Sequence, residues 1–148
     1  MDSELTLIVV DQNEEVCHRL ASGLERLPGI RVLAHTTNVM LAGELAHQFS
    51  PDVIIADFKW GEAERADILR WLVGMCPRSS VIVYSSYYRD GEREALEAAG
   101  AVLCLLKGLN VDELGGQIRY VRALRPAKRQ GEPSSPGSGS GYPPFRTG

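Results

Sequence analysis

The sequence predicts an α/β fold, a doubly wound parallel sheet of five strands with helices on both faces. Three observations predict it. Short apolar runs alternate five times with segments whose apolar residues recur at helical spacing, the pattern of repeated βα units. The run from Val53 to Ala56 has no polar face, as a strand covered on both sides requires. Asp11, Asp57, Ser85 and Lys107 stand where four of the runs end, at the sheet edge where open α/β folds keep their sites.

Taken in order, Leu5 to Val10 is apolar at nearly every position and rich in β-branched residues, which suits a first strand. Asn13 can cap the helix that follows, with Glu14 and Glu15 favourably placed in its first turn. Val16, Leu20, Leu24 and Leu27 form its apolar face, and Pro28-Gly29 ends it. Ile30 to His35 is a more polar strand suited to an edge. Asn38 caps a second helix with Leu41, Leu45 and Phe49 on one face. After the strand ending at Asp57, a third helix runs from about Ala63 to Met75 with Ile68, Leu72 and Met75 inward. Pro77 closes it. Val81 to Ser85 is the fourth strand. Arg93 to Ala99 is the fourth helix, with Gly100 at its C-terminus. Ala101 to Leu106 is the fifth strand. Val111, Leu114, Ile118 and Val121 define the fifth helix, in which Gly115 and Gly116 should each cost about 1 kcal/mol relative to alanine.

The 148 residues suffice for one domain with a full core. The division expected is a domain over 1–125 and a Gly/Pro/Ser-rich tail or linker over 126–148, expected to be disordered. Tyr142-Pro143-Pro144-Phe145 could dock in polyproline geometry, but a solvated tail is the simpler reading. A net charge of −3 gives no electrostatic footprint for nucleic acid or an anionic membrane. No stretch approaches the roughly 18 apolar residues of a membrane span. The start Met1-Asp2-Ser3-Glu4 lacks the basic and apolar regions of a signal peptide, so a cytoplasmic location is the default expectation.

Cys17, Cys76 and Cys104 are odd in number and far apart, which fits reduced core thiols better than a disulfide or zinc framework. His18, His35 and His47 are scattered and read as surface histidines. Trp60 reads as a loop anchor, Trp71 as a helix packing residue, and Asp90, Glu92, Glu94 and Glu97 as a solvated helix face. Asp11 or Asp57 alone could be a helix cap or turn residue, Ser85 a turn residue and Lys107 a solvated lysine. It is their convergence at one sheet edge that favours a site.

The chemistry of the four groups is coherent. A carboxylate can accept a phosphoryl group as a mixed anhydride. A second carboxylate would help to hold Mg²⁺, a hard cation that prefers oxygen ligands. A hydroxyl and an ammonium can bind phosphoryl oxygens, and positioning with charge neutralisation is most of what such transfer needs.

Over about residues 5 to 124, this constellation resembles the receiver domain of two-component response regulators. The frames Ala98-Ala99-Gly100-Ala101 and Leu105-Leu106-Lys107 look most like the NarL/FixJ branch. The resemblance implies a CheY-like, flavodoxin-like (βα)5 sheet with strand order 2-1-3-4-5. It implies that Asp57 is the phosphoacceptor, that Asp11 is the first member of the acidic pair after strand one, and that Ser85 and Lys107 bind the phosphoryl group. It further implies Mg²⁺ as cofactor and a histidine kinase or phosphotransfer protein as partner, in a switch rather than a metabolic enzyme. The switching face would be helix four, strand five and helix five, with dimerisation through helices one and five or four and five left open.

Three departures from the family pattern stand out. The second acid of the pair is Gln12, a neutral amide that could ligate only weakly. The usual Met-Pro-Gly after the acceptor strand is Lys59-Trp60-Gly61. The metal-ligating carbonyl would then belong to Lys59, whose ammonium could instead stand near Asp57. The aromatic switch position on strand five is Cys104, so that Tyr84, Tyr87 or Tyr88 could report the active state. These departures motivate a second reading, a phosphorylation-independent pseudo-receiver that acts as a protein-interaction module. A third is the N-terminal fragment of a DNA-binding regulator, since branch members usually carry a helix-turn-helix domain after a linker. A flavodoxin-like nucleotide or flavin binder is disfavoured, because Asp11-Gln12-Asn13 is no Gly-rich phosphate cradle.

Overall fold

The structure, a computed structural model, describes residues 4–59 and 64–124. Its elements run β1 (Leu5–Asp11), α1 (Glu14–Glu25), β2 (Ile30–Thr36), α2 (Val39–Phe49), β3 (Val53–Asp57), α3 (Arg65–Met75), β4 (Ser80–Ser85), α4 (Glu92–Ala98), β5 (Ala101–Leu106) and α5 (Val111–Leu124). All strand pairs are parallel and the order is β2-β1-β3-β4-β5. The polar second strand is therefore an edge, as its sequence predicts. The strand order reverses between β1 and β3, which opens a crevice at their carboxyl ends.

Alternation along the strands divides the core into two layers. Leu5, Leu7 and Val9 of β1 and Val53 and Ile55 of β3 pack with Cys17, Ala21 and Leu24 of α1 and Leu114, Ile118 and Val121 of α5. Ile8, Val10, Ile54 and Ala56 pack on the other side with Val39, Ala42 and Ala46 of α2, Ile68, Leu69 and Leu72 of α3, and Leu96 of α4. Double coverage explains the unbroken apolar run before Asp57. The caps are as read: Asn13 accepts from the Val16 N–H, and Asn38 accepts from Met40 and Leu41. Gly100 follows α4 at φ 121°, and its N–H bonds to the Glu97 carbonyl.

Several details differ from the sequence reading. Of the stripe Leu41, Leu45 and Phe49, only Leu45 packs against the core: Leu41 and Phe49 are exposed, and Val39, Ala42, Gly43 and Ala46 face inward. Small residues let the helix approach closely, and an added Cβ at Gly43 would lie 2.6 Å from the Trp71 ring. In α1 the deepest residues are Cys17, Ala21 and Leu24, with Val16 and Leu20 only half-buried. Met75 is half-buried too, and α3 starts at Arg65. Gly115 has a packing reason, since a Cβ there would lie 2.4 Å from Leu27, whereas Gly116 meets nothing. Cys17 and Cys76 are buried, but Cys104 is only half-buried. Trp60, the residues 126–148 and the peptide Tyr142 to Phe145 lie outside the described residues.

Candidate functional site

Register builds the site. In the β1–β3 ladder Val9 pairs with Ile55, Val10 with Ala56, and Asp11 with Asp57. The two carboxylates are thus neighbours at the ends of adjacent strands, at the point where the strand order reverses. On the other side, the Lys107 N–H continues the β4–β5 ladder by donating to the Ser85 carbonyl at 2.9 Å. Ala56 pairs with Val83 and Val83 with Cys104, so Lys107 leaves the sheet two residues further toward its carboxyl edge than Asp57, from where its long side chain can reach back.

Its ammonium then ties the site together. Lys107 Nζ lies 2.7 Å from Asp11 Oδ2 and 2.7 Å from Asp57 Oδ2. Asp11 is buried, and its other oxygen, Oδ1, accepts from the Asn13 N–H at 2.9 Å. Burial alone would lower the lysine pKa, but hydrogen bonds to Asp11 and Asp57 outweigh it and hold the pKa above the ordinary 10.5. Lys107 is therefore a fixed cation at neutral pH, between two carboxylates that would otherwise repel each other.

The loop after β3 is tied to the loop after β1. The Gln12 side-chain amide donates from Nε2 to the backbone carbonyl of Lys59. Lys59 is exposed and, among the described residues, its ammonium makes no ion pair. Lys107, not Lys59, supplies the positive charge beside Asp57. Ser85 is buried at the end of β4, but its hydroxyl donates to the Tyr87 carbonyl at 3.2 Å and accepts from the Tyr87 N–H at 3.5 Å. The structure thus brings Asp11, Asp57 and Lys107 into contact, joins Gln12 to Lys59 beside them, and leaves the Ser85 hydroxyl engaged in its own turn.

The described site offers oxygen donors of the type Mg²⁺ prefers, but not in a receptive arrangement. The Lys59 carbonyl already holds the Gln12 amide, and both carboxylates hold Lys107. Among the described residues no group of three or more His, Cys, Asp and Glu could hold a metal ion. A divalent cation would have to share the two carboxylates with the Lys107 ammonium.

Sequence reasoning missed three supports around the site. Glu92 is not on a solvated face: it is buried and pairs with buried Arg65 at 3.1 Å. Arg65 also donates to the Tyr87 carbonyl at 3.1 Å, which ties the start of α3 to the turn holding Ser85. Tyr88 spans β4 and β5, its one hydroxyl proton donated to the Leu105 carbonyl at 2.6 Å with the Val83 carbonyl 3.1 Å away, under the guanidinium groups of Arg65 and Arg93. Burial, and then the neighbouring Cys104, push its phenol up to about 12. Burial and then Glu97 push the Cys104 thiol up to about 11, which favours the protonated form. The Tyr84 hydroxyl accepts from the N–H groups of Gly108 (3.2 Å) and Leu109 (3.1 Å) and so shapes the loop after Lys107. Among the histidines, the exposed rings of His18 and His35 meet edge to face at 5.8 Å, and His47 Nδ1 lies 3.1 Å from the Met75 carbonyl.

The open sheet with strand order 2-1-3-4-5 thus carries a lysine-bridged pair of carboxylates at its switch point. The sequence profile of the response regulator receiver domain matches residues 7–119, and the chain belongs to that family. It is 35% identical over 94 residues to a protein-glutamate methylesterase/protein-glutamine glutaminase of Alkalilimnicola ehrlichii, covering 64% of this chain and 24% of that protein. It is 27% identical over 129 residues to the transcriptional regulatory protein LiaR of Bacillus subtilis, covering 87% of this chain and 58% of that one. The chain thus spans only part of these relatives. Among solved structures, the NarL signal receiver domain from Mycobacterium tuberculosis superposes with a TM-score of 0.75 at 17% identity, covering 84% of this chain and all of that one. The response regulator domain of Thermotoga maritima CheB gives 0.70 at 22% identity, covering 83% and 99%. At these identities the structures speak for the fold alone. No helix among the described residues is long and apolar enough to cross a membrane.

Proposed function

We propose that this chain is a phosphorylation-controlled receiver in which Asp57 accepts a phosphoryl group from a histidine kinase or phosphotransfer protein. The observation that carries the reading is the Lys107 ammonium held 2.7 Å from the Asp57 carboxylate at the strand-order switch point. An Asp57 oxygen attacks the phosphorus of a phosphohistidine, the phosphorus–nitrogen bond breaks with its electron pair returning to the imidazole, and a mixed anhydride forms. Lys107 offsets the added negative charge. The Ser85 hydroxyl, in turning from the Tyr87 backbone to a phosphoryl oxygen, would release the turn that Arg65 and Glu92 hold. The surface of α4, β5 and α5 would change its partner preference through that turn.

The receiver unit is residues 1–125, with 126–148 as a tail or linker. Receiver domains in general are switches and not metabolic enzymes, and we extend that to this chain. Mg²⁺ should bind weakly, because Gln12 brings no charge. The location is cytoplasmic, where kinase partners reside, and the chain itself contacts neither nucleic acid nor membrane. Acetyl phosphate labelling tests the reading. It predicts an adduct of about 80 Da that hydroxylamine removes, as an acyl phosphate requires.

A second reading is a phosphorylation-independent interaction module. The engagement of Lys59 by Gln12, and of both carboxylates by Lys107, favours it. Stoichiometric labelling would eliminate it.

A further inference from the structure

We infer that Arg65 is a positioning residue: anchored by Glu92, it holds the Tyr87 carbonyl inward as the acceptor of the Ser85 hydroxyl, and so keeps that hydroxyl off the Asp57 site. The inference deepens the reading of Asp57 as the phosphoacceptor and rests on it.

One carbonyl carries the argument. The Tyr87 oxygen accepts from Ser85 Oγ at 3.2 Å and from Arg65 Nη1 at 3.1 Å, which occupies both of its lone pairs. The second proton of Nη1 goes to Glu92 Oε1 at 3.1 Å. That oxygen is fixed in turn by the Arg89 N–H at 3.0 Å. Arg65 and Glu92 are buried, whereas Tyr87 is 65% exposed. A peptide group at so exposed a residue is free to turn its carbonyl to water. The buried guanidinium holds it inward, through a charge-assisted hydrogen bond about twice as strong as a neutral one. Ser85 is buried, so its hydroxyl does not trade this acceptor for bulk water. It stays with Tyr87 while Arg65 does.

The hold is firm without being maximal. Arg65 Nη2 is buried and has no hydrogen-bond acceptor among the described residues. An unpaired buried donor carries a cost. The resting turn can therefore yield when a stronger partner for Ser85, a phosphoryl oxygen, arrives.

This arrangement fixes the sign of a mutation. Removing a mere structural support lowers stability and leaves the chemistry at Asp57 equal or slower. Removing a restraint frees Ser85 and speeds that chemistry. Because Arg65 acts through the neutral Ser85–Tyr87 hydrogen bond, the gain is bounded by what that bond is worth, about two- to tenfold.

The test has two arms on the full chain, for the native protein, Arg65→Met, and Arg65→Met combined with Glu92→Gln. The double variant leaves no unpaired buried charge and keeps the test open if the single one fails to fold. The first arm reads the Ser85 χ1 rotamer from NMR Hα–Hβ couplings without any phosphodonor, so it stands whether or not Asp57 proves to be a phosphoacceptor. The native chain should show one rotamer and the variants an average of several. The second arm follows acetyl phosphate labelling. The variants should label about two- to tenfold faster than the native chain, and adding Ser85→Ala should remove the gain. A single native-like rotamer in the variants overturns the inference, as does equal or slower labelling beside a labelled native chain, or a gain that survives Ser85→Ala. No labelling of any protein would sink the reading of Asp57 instead, and the couplings would then decide whether Arg65 positions Ser85.

Discussion

Lys107 Nζ stands 2.7 Å from Asp57 Oδ2 and at the same distance from Asp11 Oδ2, bridging carboxylates that the β1–β3 register places side by side. The lysine is less than a quarter exposed and Asp11 is buried, so the pair is worth more than a surface ion pair, yet less than a fully desolvated one. Lys107→Met should lower the unfolding free energy by about 1–3 kcal/mol at neutral pH, because it leaves two carboxylates facing each other. Asp57→Asn in the same chain should restore much of that loss. Urea denaturation of the single and double variants measures both, and an additive result would deny the coupling.

The pH dependence has a defined direction. Lys107 holds its proton more tightly folded than unfolded, so its contribution is fully present below the ordinary value of 10.5 and is lost as pH rises through the higher folded value. Tyr88 behaves alike: its phenol ionises at about 12 folded against 10 unfolded. Stability should therefore decline from about pH 10 upward. Tyr88→Phe should remove part of that slope, on the order of 1 kcal/mol between pH 10 and 12, and should also cost about 1 kcal/mol at neutral pH through the hydrogen bond lost. Denaturant midpoints across this range check it, and identical slopes for both proteins would contradict it.

The Arg65–Glu92 pair is buried on both sides, at 9% and 7% side-chain exposure. Arg65→Met leaves Glu92 with Arg89 alone, and Glu92→Gln leaves Arg65 with the Tyr87 carbonyl, so each should cost about 2–3 kcal/mol. The double variant should cost less than either alone. A double-mutant cycle reads the coupling, and near-zero coupling would show the pair to be incidental.

The glycines of the helices separate cleanly. Gly116→Ala meets open space and should stabilise by about 0.5–1 kcal/mol through helix propensity. Gly43→Ala gains the same propensity but drives a Cβ into the Trp71 ring, and should be net destabilising by about 1–2 kcal/mol. Thermal melts of the two variants should move in opposite directions.

Fold and site were unequally legible in the sequence. The five βα units and the ends carrying Asp11, Asp57 and Lys107 could be read because a strand covered on both faces needs a continuous apolar run, and a charge that ends such a run marks the sheet edge. The core face of α2 could not be read from apolar spacing: Leu41 and Phe49 form the more hydrophobic stripe, but close approach to Trp71 selects the small residues. Glu92 looked solvated because its partner, Arg65, lies on another helix, 27 residues away. The Ser85 position was legible while its hydroxyl partners were not, since they depend on a turn whose shape Arg65 and Glu92 fix from outside. The contact of Gln12 with Lys59 joins two loops that only the fold brings together.

The most direct measurement of the central claim is intact mass after acetyl phosphate treatment, for the native chain and Asp57→Asn. The native chain should gain about 80 Da, the mass of one phosphoryl group, and Asp57→Asn should gain nothing. No adduct on the native chain at high donor concentration, or an adduct that persists in Asp57→Asn, would contradict the assignment of Asp57 as the phosphoacceptor.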